Sequence, residues 1–313
     1  MTVAACEGGP VAIVGPTASG KSQLAFELCA RDARFEIVSL DSMQVYRGMD
    51  IGTAKPSASE RSQVRHHLID VVEPGEGWSV AQTQRLARAA LADIEARGKR
   101  ALLVGGTGLY VQAVVDSFEL PGEDLAVRAE LERATESEEG LRAAWDELQR
   151  ADPAAAARID EHNRRRILRA LEVIRVTGRP FSSFGPGLFA AALDPDSPGR
   201  VRMLAPWTTR AELAAAIERR VAHMRRAGLV EEVERLRAGA WARSARQAIG
   251  YKEIADALES GTMLDDAFDL VVHRTRRFAR RQRMWFRRDP RVVWIRASDF
   301  ASRCEAAVVL CAS

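Results

Sequence analysis

The segment Gly15–Ser22, Gly-Pro-Thr-Ala-Ser-Gly-Lys-Ser, narrows the possible folds of this chain more than any other part of it. It matches the phosphate-loop pattern G-x-x-x-x-G-K-[ST] at every fixed position. The apolar run Val11–Val14 precedes it and the helix-forming segment Gln23–Ala30 follows, which is the strand–turn–helix context that the motif requires. Backbone N–H groups in such a turn converge on phosphate oxygens. The sequence therefore predicts binding of a phosphate ester, with Lys21 neutralising phosphate charge and Ser22 ligating Mg²⁺.

Length and composition limit the class of protein. The chain has 313 residues, of which 47% are apolar, enough for one large domain or one domain with an insertion. Residues 1–10 contain no Lys or Arg and do not resemble a signal peptide. No stretch approaches the ~18 apolar residues of a membrane span. The four cysteines, Cys6, Cys29, Cys304 and Cys311, form no C-x-x-C pair, which indicates a reduced cytoplasmic protein without a structural zinc site.

Strands alternate with helices in the first part of the chain. This alternation predicts an α/β fold, with a phosphate-loop parallel sheet that has helices on both faces. Predicted strands are Val11–Val14, Phe35–Leu40, Leu68–Val72 and Ala101–Val104, and the predicted long helix is Val80–Arg97. The segment 41–56 is too rich in polar residues and glycine for a regular element. Because long loops in compact domains are usually functional, we expect it to belong to the site.

Residues 118–198 lack strand signals and predict an inserted all-helical domain within a catalytic core made of residues 1–117 and 199–313. Its predicted helices are Asp124–Ala134, Glu138–Arg150 and Asn163–Thr177, and Gly178–Gly199 is predicted to be the return linker. After it the sequence predicts strands at Val201–Leu204 and Val292–Ile295, and helices at Thr209–Arg226, Val230–Arg237, Tyr251–Leu258 and Leu264–Arg283.

Polar residues follow two of the predicted strands. Ligands in open parallel sheets gather at the carboxyl ends of the strands, so Asp41 and Thr107 are expected near the phosphate loop. From position alone, Asp41 could be a Mg²⁺ ligand, a general base or a cap on the next turn. The strand Ala101–Val104 does not end in Asp or Glu, and no Asn-Lys-x-Asp guanine signature occurs. Both absences weaken an ordinary NTPase interpretation.

Two basic stretches stand out although the net charge is only +3. The first is Asn163–Arg166 with Arg169, where Arg165 and Arg169 share a helix face. The second, His273–Arg291, combines arginines with aromatic residues and almost no acid. A solvated helix face is the ordinary interpretation, whereas arginine interleaved with aromatics is typical of a nucleic-acid track. Neighbouring residues of a strand point to opposite faces, so His66 and His67 are not predicted to bind one metal ion together.

Taken together, these segments resemble the bacterial tRNA dimethylallyltransferases, also called tRNA isopentenyltransferases or the IPP transferase family. The most specific match is Asp-Ser-Met-Gln-Val-Tyr-Arg-Gly-Met-Asp-Ile-Gly-Thr-Ala-Lys-Pro at 41–56. The other matching segments are 15–22, 66–70, 104–110, 163–173, 247–253 and 281–287. They follow the family's order and extend from about residue 11 to residue 295.

The resemblance implies transfer of a dimethylallyl group from dimethylallyl diphosphate to N6 of the adenine at position 37, just 3′ of the anticodon. The phosphate loop would then hold a diphosphate leaving group together with Mg²⁺. Asp41 would be the base, and Lys21, Ser22 and Arg220 would act on the diphosphate. A shift of the alignment by one residue would give the role of Arg220 to Arg219. Residues implied to bind the diphosphate are Gly15, Pro16, Thr17, Ala18, Ser19, Gly20, Lys21 and Ser22. Residues implied to bind tRNA are Asp41, Ser42, Met43, Gln44, Thr107, Arg128, Arg164, Arg165, Arg166, Ile167 and Leu168.

The implied partners are dimethylallyl diphosphate and the anticodon stem-loop of tRNA, with no membrane, and we expect a cytoplasmic monomer. Two alternatives remain open at this point. A phosphate-loop small-molecule kinase shares the fold and the Mg²⁺ but leaves the arginine stretches unused. An RNA-binding phosphate-loop NTPase uses them but requires nucleotide turnover and an acidic second motif.

Overall fold

The computed structural model describes residues 9–116, 120–184, 201–296 and 299–312. The chain divides into two compact units, one of Met1–Val115 with Ala192–Ser313 and the other of Asp116–Ala191. Within the described ranges, no helix is long and apolar enough to cross a membrane. The predicted linker beyond residue 184 and Cys6 lie outside the described residues.

A parallel sheet forms the centre of the first unit. The strands found in the described residues are β1 (Val11–Val14), β2 (Phe35–Ser39), β3 (His66–His67), β4 (Arg100–Gly105), β5 (Arg202–Pro206) and β6 (Val292–Ile295). Their order is β3-β2-β4-β1-β5-β6, and every pairing is parallel. Val11 lies between Leu102 of β4 and Arg202 of β5. The strand that leads into the phosphate loop is therefore central in the sheet, which confirms the predicted fold class.

Helices account for most of the remaining regular structure. In chain order they are α1 (Lys21–Arg31), α2 (Ala58–Gln63), α3 (Val80–Ala96), α4 (Gly108–Val115), α5 (Leu125–Ala134), α6 (Glu138–Ala151), α7 (Pro153–Ala156), α8 (Arg164–Thr177), α9 (Arg210–Arg226), α10 (Leu229–Arg237), α11 (Arg243–Arg246), α12 (Tyr251–Ser260), α13 (Leu264–Phe286) and α14 (Phe300–Ala312).

The sheet has an apolar layer on each face, because successive side chains of a strand point to opposite sides. In β1, Val11 and Ile13 pack in a cluster with buried residues of α1 and α14. Ala12 and Val14 pack in a second cluster with α3 and α4. Between these layers β1, β2 and β4 are buried throughout, as expected of a parallel sheet between helices.

A third apolar cluster lies outside the sheet. It is formed by α9, α10, α12 and α13, and it includes Val45, Tyr46 and Met49 from the segment 41–56. Tyr46 and Met49 are completely buried. The loop therefore has a core of its own and is packed against the helices that follow the insertion.

The described part of the second unit contains only helices. Its core is formed by apolar residues of α5, α6, α7 and α8, including Leu131, Leu148 and Leu171. The predicted helices over 124–134, 138–150 and 163–177 correspond to α5, α6 and α8.

One predicted strand was wrong, and several helices were not predicted. The predicted strand Leu68–Val72 is instead the two-residue β3, His66–His67. Leu68 and Asp70 have φ values of 62° and 56°, in the left-handed region that a strand cannot contain. The unpredicted helices include α4 and α14; α4 starts directly after a glycine-rich turn, and Asp299 caps the start of α14 by accepting from Ser302 N at 2.8 Å.

Candidate active site

The phosphate loop joins β1 to α1 through backbone conformations that favour glycine. Gly15 and Gly20 have φ values of 134° and 86°, and Ala18 adopts a left-handed conformation with φ 63°. Gly20 is the N-cap of α1, and no side chain caps this helix end. The first-turn N–H groups are therefore available to an anion, where the helix dipole favours negative charge.

Two cations and one carboxylate meet beside this loop. The pKa of Lys21 is lowered to about 8, chiefly by burial and also by the neighbouring Arg220, while the Asp41 carboxylate opposes the shift. The pKa of Arg220 is also lowered, again chiefly by burial and again opposed by Asp41. The structure thus brings Lys21, Asp41 and Arg220 together from α1, the end of β2 and α9, three separate parts of the sequence.

The Arg220 side chain contacts the phosphate loop directly. Its Nη1 donates to the Thr17 hydroxyl at 2.9 Å, whereas the neighbouring Arg219 is exposed. Of these two arginines, Arg220 is therefore the one that contacts the phosphate loop. Sequence alignment alone left a one-residue uncertainty between these two arginines, and the helix phase of α9 distinguishes them.

Asp41 follows β2 and begins the segment 41–56. Its Oδ1 accepts from Met43 N at 2.9 Å and from Gln44 N at 3.4 Å, so the carboxylate also closes the turn after the strand. Gln44 is held within the same loop, because its Oε1 accepts from the Ser39 hydroxyl and its Nε2 donates to Ala54 O at 3.2 Å. Ser42, next to Asp41, is half-buried.

The rest of this loop is fixed by two buried charged groups. The Lys55 ammonium donates to Tyr46 O at 2.7 Å and to carboxylates of Asp50 and Asp70 at 2.6 Å each. The Glu232 carboxylate accepts from three consecutive backbone amides, of residues 50, 51 and 52, and from the Tyr251 hydroxyl at 2.6 Å. These contacts explain how a segment without regular structure keeps one conformation.

The turn after β4 lies against the phosphate loop. A Cβ atom at Gly106 would come within 3.2 Å of Gly15 O and 3.4 Å of Lys21 Nζ, and 2.6 Å from Nε2 of Gln282. Gln282 was not predicted as a site residue, although it falls in the matching segment 281–287. Thr107 follows in this turn, and its carbonyl accepts from the first amides of α4. Thr107 is thus adjacent in sequence to Gly106, the residue that lies against the phosphate loop.

A cavity of about 150 Å³ opens beside the start of α1. Ser22, Ser39 and Gln44 are among its polar lining residues, with Phe26 and Ile37 among the apolar ones. Within the described ranges, no group of three or more His, Cys, Asp or Glu residues could hold a metal ion. His66 and His67 do not converge, since His66 Nδ1 bonds Val64 O at 2.7 Å and His67 Nε2 bonds Glu36 at 2.7 Å.

The predicted tRNA-binding residues of the second unit fall into three groups. Arg165 and Arg166 are exposed and form no ion pair with any described residue. Arg164 donates to Glu132 O and Thr135 O, and Arg128 pairs with Glu132 at 3.1 Å, so both brace the unit. The side chains of Ile167 and Leu168 are buried in its core and are not available at the surface.

The second basic stretch lies on α13, and its arginines also differ in whether they are paired within the protein. Some of its arginines have internal partners: Arg274 pairs with Glu253 at 2.5 Å, and Arg276 pairs with Glu218. Exposed arginines on this helix and at its end include Arg277, Arg280, Arg281 and Arg287. Of the aromatic residues, Phe286 is core, whereas Phe278 lies under the Arg281 guanidinium at 5.7 Å.

The chain is similar to known proteins over most of its length. The family model described as IPP transferase matches residues 44–289. A protein named tRNA dimethylallyltransferase from Nocardioides sp. is 48% identical over 291 residues, which cover 92% of this chain and 91% of that protein. A protein of the same name from Bifidobacterium adolescentis is 45% identical over 295 residues, covering 92% and 84%. The crystal structure of a tRNA isopentenylpyrophosphate transferase from Bacillus halodurans is 41% identical, with a TM-score of 0.71 and coverage of 98% and 96%.

Proposed function

As a member of the IPP transferase family this chain is a prenyltransferase that acts on tRNA, and we propose how its residues divide that reaction among them. The enzyme transfers a dimethylallyl group from dimethylallyl diphosphate to N6 of the adenine 3′ of the anticodon and releases diphosphate. The observation that carries the assignment of roles is the convergence of Lys21, Arg220 and Asp41 on one phosphate loop.

The proposed leaving-group site is the phosphate loop with its two cations. The uncapped start of α1 supplies N–H donors, and Lys21 and Arg220 supply positive charge that burial leaves poorly solvated. Such preorganised charge stabilises a leaving diphosphate more than water does. As the bond between the allylic carbon and the diphosphate oxygen breaks, the bonding electrons leave with the diphosphate.

The proposed base is Asp41. The exocyclic amine of adenine is a poor nucleophile, because its lone pair is delocalised into the ring. It forms the new N6–carbon bond as it loses a proton, and a carboxylate within reach accepts that proton. Asp41 fits this role because it is half-buried at the carboxyl end of β2, where its charge interacts with those of Lys21 and Arg220.

The proposed metal is Mg²⁺, held by the Ser22 hydroxyl and by oxygens of the diphosphate itself. Ser22 is exposed at the start of α1 and lines the cavity beside it. A site with a single hydroxyl ligand fits Mg²⁺, which keeps several waters and binds through substrate phosphates more often than through a full protein cage. When bound, the ion would neutralise charge on the diphosphate.

For tRNA we propose two contact surfaces, one on each unit. The first consists of the exposed Arg165 and Arg166 of α8. The second consists of exposed arginines on α13 and at its end, Arg277, Arg280, Arg281 and Arg287. The residues proposed to lie near the target adenine are Asp41, Ser42, Met43, Gln44 and Thr107. That adenine must leave its stack before its amine can reach the Asp41 carboxylate at the carboxyl end of β2.

We also propose a cytoplasmic monomer. The described cysteines are buried and unpaired, as in proteins of reducing compartments.

A kinase or an NTPase is not favoured. β4, which pairs with β1, ends in Gly105 and is followed by Gly106, so no carboxylate ends the strand beside the phosphate loop. The test of the proposed function is incubation of the protein with dimethylallyl diphosphate, Mg²⁺ and tRNA, followed by mass analysis of the nucleosides. A dimethylallyl adenosine is expected, and RNA-stimulated ATP hydrolysis without it would contradict the proposal.

A further inference from the structure

Gln282 is a buried amide on α13 that the mechanism above does not use. Its side chain is 6% exposed, although the helix around it is rich in exposed arginine. Its Oε1 accepts a hydrogen bond from the backbone N–H of Thr17, the third residue of the phosphate loop, at 2.8 Å. The amide of Thr17 is therefore already bonded to the protein.

Thr17 is held from a second side as well. Its hydroxyl accepts the hydrogen bond from Arg220 Nη1 at 2.9 Å. A continuous path of hydrogen bonds thus leads from α13 through Thr17 to the guanidinium on α9. Each link fixes an orientation: Gln282 sets the Thr17 backbone, and the Thr17 hydroxyl sets the Arg220 side chain.

The Gln282 amide lies close to Gly106. A Cβ at Gly106 would lie 2.6 Å from Gln282 Nε2, closer than real Cβ atoms approach other atoms. The amide therefore occupies the space that a larger residue at 106 would fill. A larger residue at this position would displace the amide that bonds the Thr17 N–H.

We propose that Gln282 is a positioning residue, which orients Thr17 so that its hydroxyl holds Arg220 toward the diphosphate. This inference rests on the proposed function, since it assumes that Arg220 acts on the leaving group. Gln282 need not touch the substrate, because its effect passes through Thr17. Loss of its acceptor oxygen leaves the half-buried Thr17 N–H without this partner and lets Arg220 take other orientations.

The first test is Gln282→Met, which keeps the length of the side chain and removes the acceptor oxygen. We expect kcat to fall about 10- to 100-fold, as for other small misplacements of catalytic groups, with the KM for tRNA unchanged. Pyrophosphate, titrated by calorimetry, should bind more weakly than to the wild type. Wild-type affinity for pyrophosphate together with wild-type kcat would overturn the proposal.

A matched control is Gln112→Met on α4. Gln112 is 1% exposed, and neither atom of its amide is hydrogen-bonded to any described residue. The substitution removes the same amide from an equally buried position and should leave kcat and pyrophosphate binding unchanged. An equal loss in both variants would show that burial of the amide, and not its bond to Thr17, matters, and would overturn the proposal.

The second test is a double-mutant cycle with Arg220→Ala. If Gln282 acts through Arg220, adding Gln282→Met to Arg220→Ala should change kcat by less than about twofold, because coupled residues are not additive. Full additivity would mean that Gln282 acts by another route and would overturn the inference. Failure of the proposed function would appear differently, as absence of prenylated tRNA from the wild-type enzyme that still binds pyrophosphate.

Discussion

Lys21 and Arg220 are cations that the fold has partly removed from water. Burial lowers the pKa of each, and the Asp41 carboxylate opposes the shift of both. A bound diphosphate would supply the missing negative charge, so the site favours anion binding over its empty state. The same arrangement places the Asp41 carboxylate, the proposed acceptor of the substrate proton, near two positive charges.

Asp41→Asn tests the proposed base. The amide keeps the size of the side chain and an oxygen for the Met43 N–H, but it cannot accept a proton. Single-turnover transfer should slow about 10²- to 10⁴-fold, the usual contribution of a general base. Binding of tRNA, measured separately, should stay near the wild-type value. Near wild-type turnover would remove Asp41 from the mechanism.

Lys21 makes diphosphate binding depend on pH. Its pKa in the free protein is lowered to about 8, so the ammonium is charged below that pH and loses its proton as the pH rises through it. Pyrophosphate affinity should therefore be highest below pH 8 and fall by up to about tenfold per unit above it. Calorimetry from pH 7 to 9 measures the affinity for pyrophosphate. The Lys21→Met variant should bind pyrophosphate weakly, with an affinity that lacks this dependence on pH. The same pH profile in that variant would assign the titration to another group.

Arg220→Ala and Arg219→Ala form a matched pair on one helix. Arg220 bonds Thr17, whereas Arg219 is exposed, so only the first should weaken inhibition by pyrophosphate and slow product formation. A loss of about tenfold or more is expected for one charge-assisted contact. A silent Arg220→Ala with a defective Arg219→Ala would contradict the observed helix phase.

Among individual site residues, the sequence predicted those whose position in a motif or at a strand end identifies them. The phosphate loop identified Lys21 and Ser22, and a strand end identified Asp41. Gln282 could not be predicted, because its partner Thr17 is 265 positions away and only the packing of α13 against the loop brings them together. The internal pairing of Arg164, Arg274 and Arg276 was equally invisible in a list of basic residues.

The segment 41–56 is the element on which the site most depends. Its first residues face the phosphate loop, while its later residues are tied to α10 and α12 through Glu232 and Tyr251. Lys55 ties its end to its middle. A loop that is fixed at several points can hold a carboxylate at its start without regular structure.

Glu232→Ala should therefore destabilise the fold. It leaves the backbone amides of residues 50–52 without their acceptor, at a combined cost of about 3 kcal/mol. Tyr251→Phe removes only one donor to the same carboxylate and should cost about 1 kcal/mol. Urea unfolding of both variants measures the difference. Equal losses would mean that the backbone of the loop does not depend on Glu232.

Among the elements, the sequence predicted those with clear periodicity. It failed at β3, where Leu68 and Asp70 have left-handed conformations imposed by the loop contacts around them. The short helix α4 was missed because Gly-rich residues precede an apolar, β-branched run that fits a strand equally well. The capping Asp299 was the signal that could have predicted α14.

At the scale of the whole chain, basic residues occur on both compact units. On the second unit, Arg165 and Arg166 are exposed without ion pairs to described residues. Arg169 is different: it pairs with Glu172 at 3.0 Å and donates to Pro121 O at 2.7 Å. Arg165 and Arg169 are four residues apart on α8 and carry one charge each. They therefore allow a controlled comparison between an arginine without an ion pair to described residues and an arginine that is already paired within the protein.

The salt dependence of tRNA binding separates the two. Each phosphate contact by an arginine releases counterions, so affinity falls with salt at a slope set by the number of contacts. Arg165→Ala should weaken cognate and non-cognate tRNA alike and flatten the slope by about 1. Arg169→Ala should leave the slope unchanged and lower the unfolding temperature instead, because its partners are within the protein.

Gln44→Ala completes the comparison, since it removes no charge. Its amide bonds Ser39 and Ala54 inside the loop that is proposed to meet the target base. We expect altered discrimination between a cognate and a non-cognate tRNA, with the wild-type salt slope. Binding of both tRNAs to each variant over a salt series decides the matter. If Arg165→Ala changed preference without the slope and Gln44→Ala did the reverse, then α8 would read the RNA sequence and the loop would position the RNA, opposite to the assignment made here.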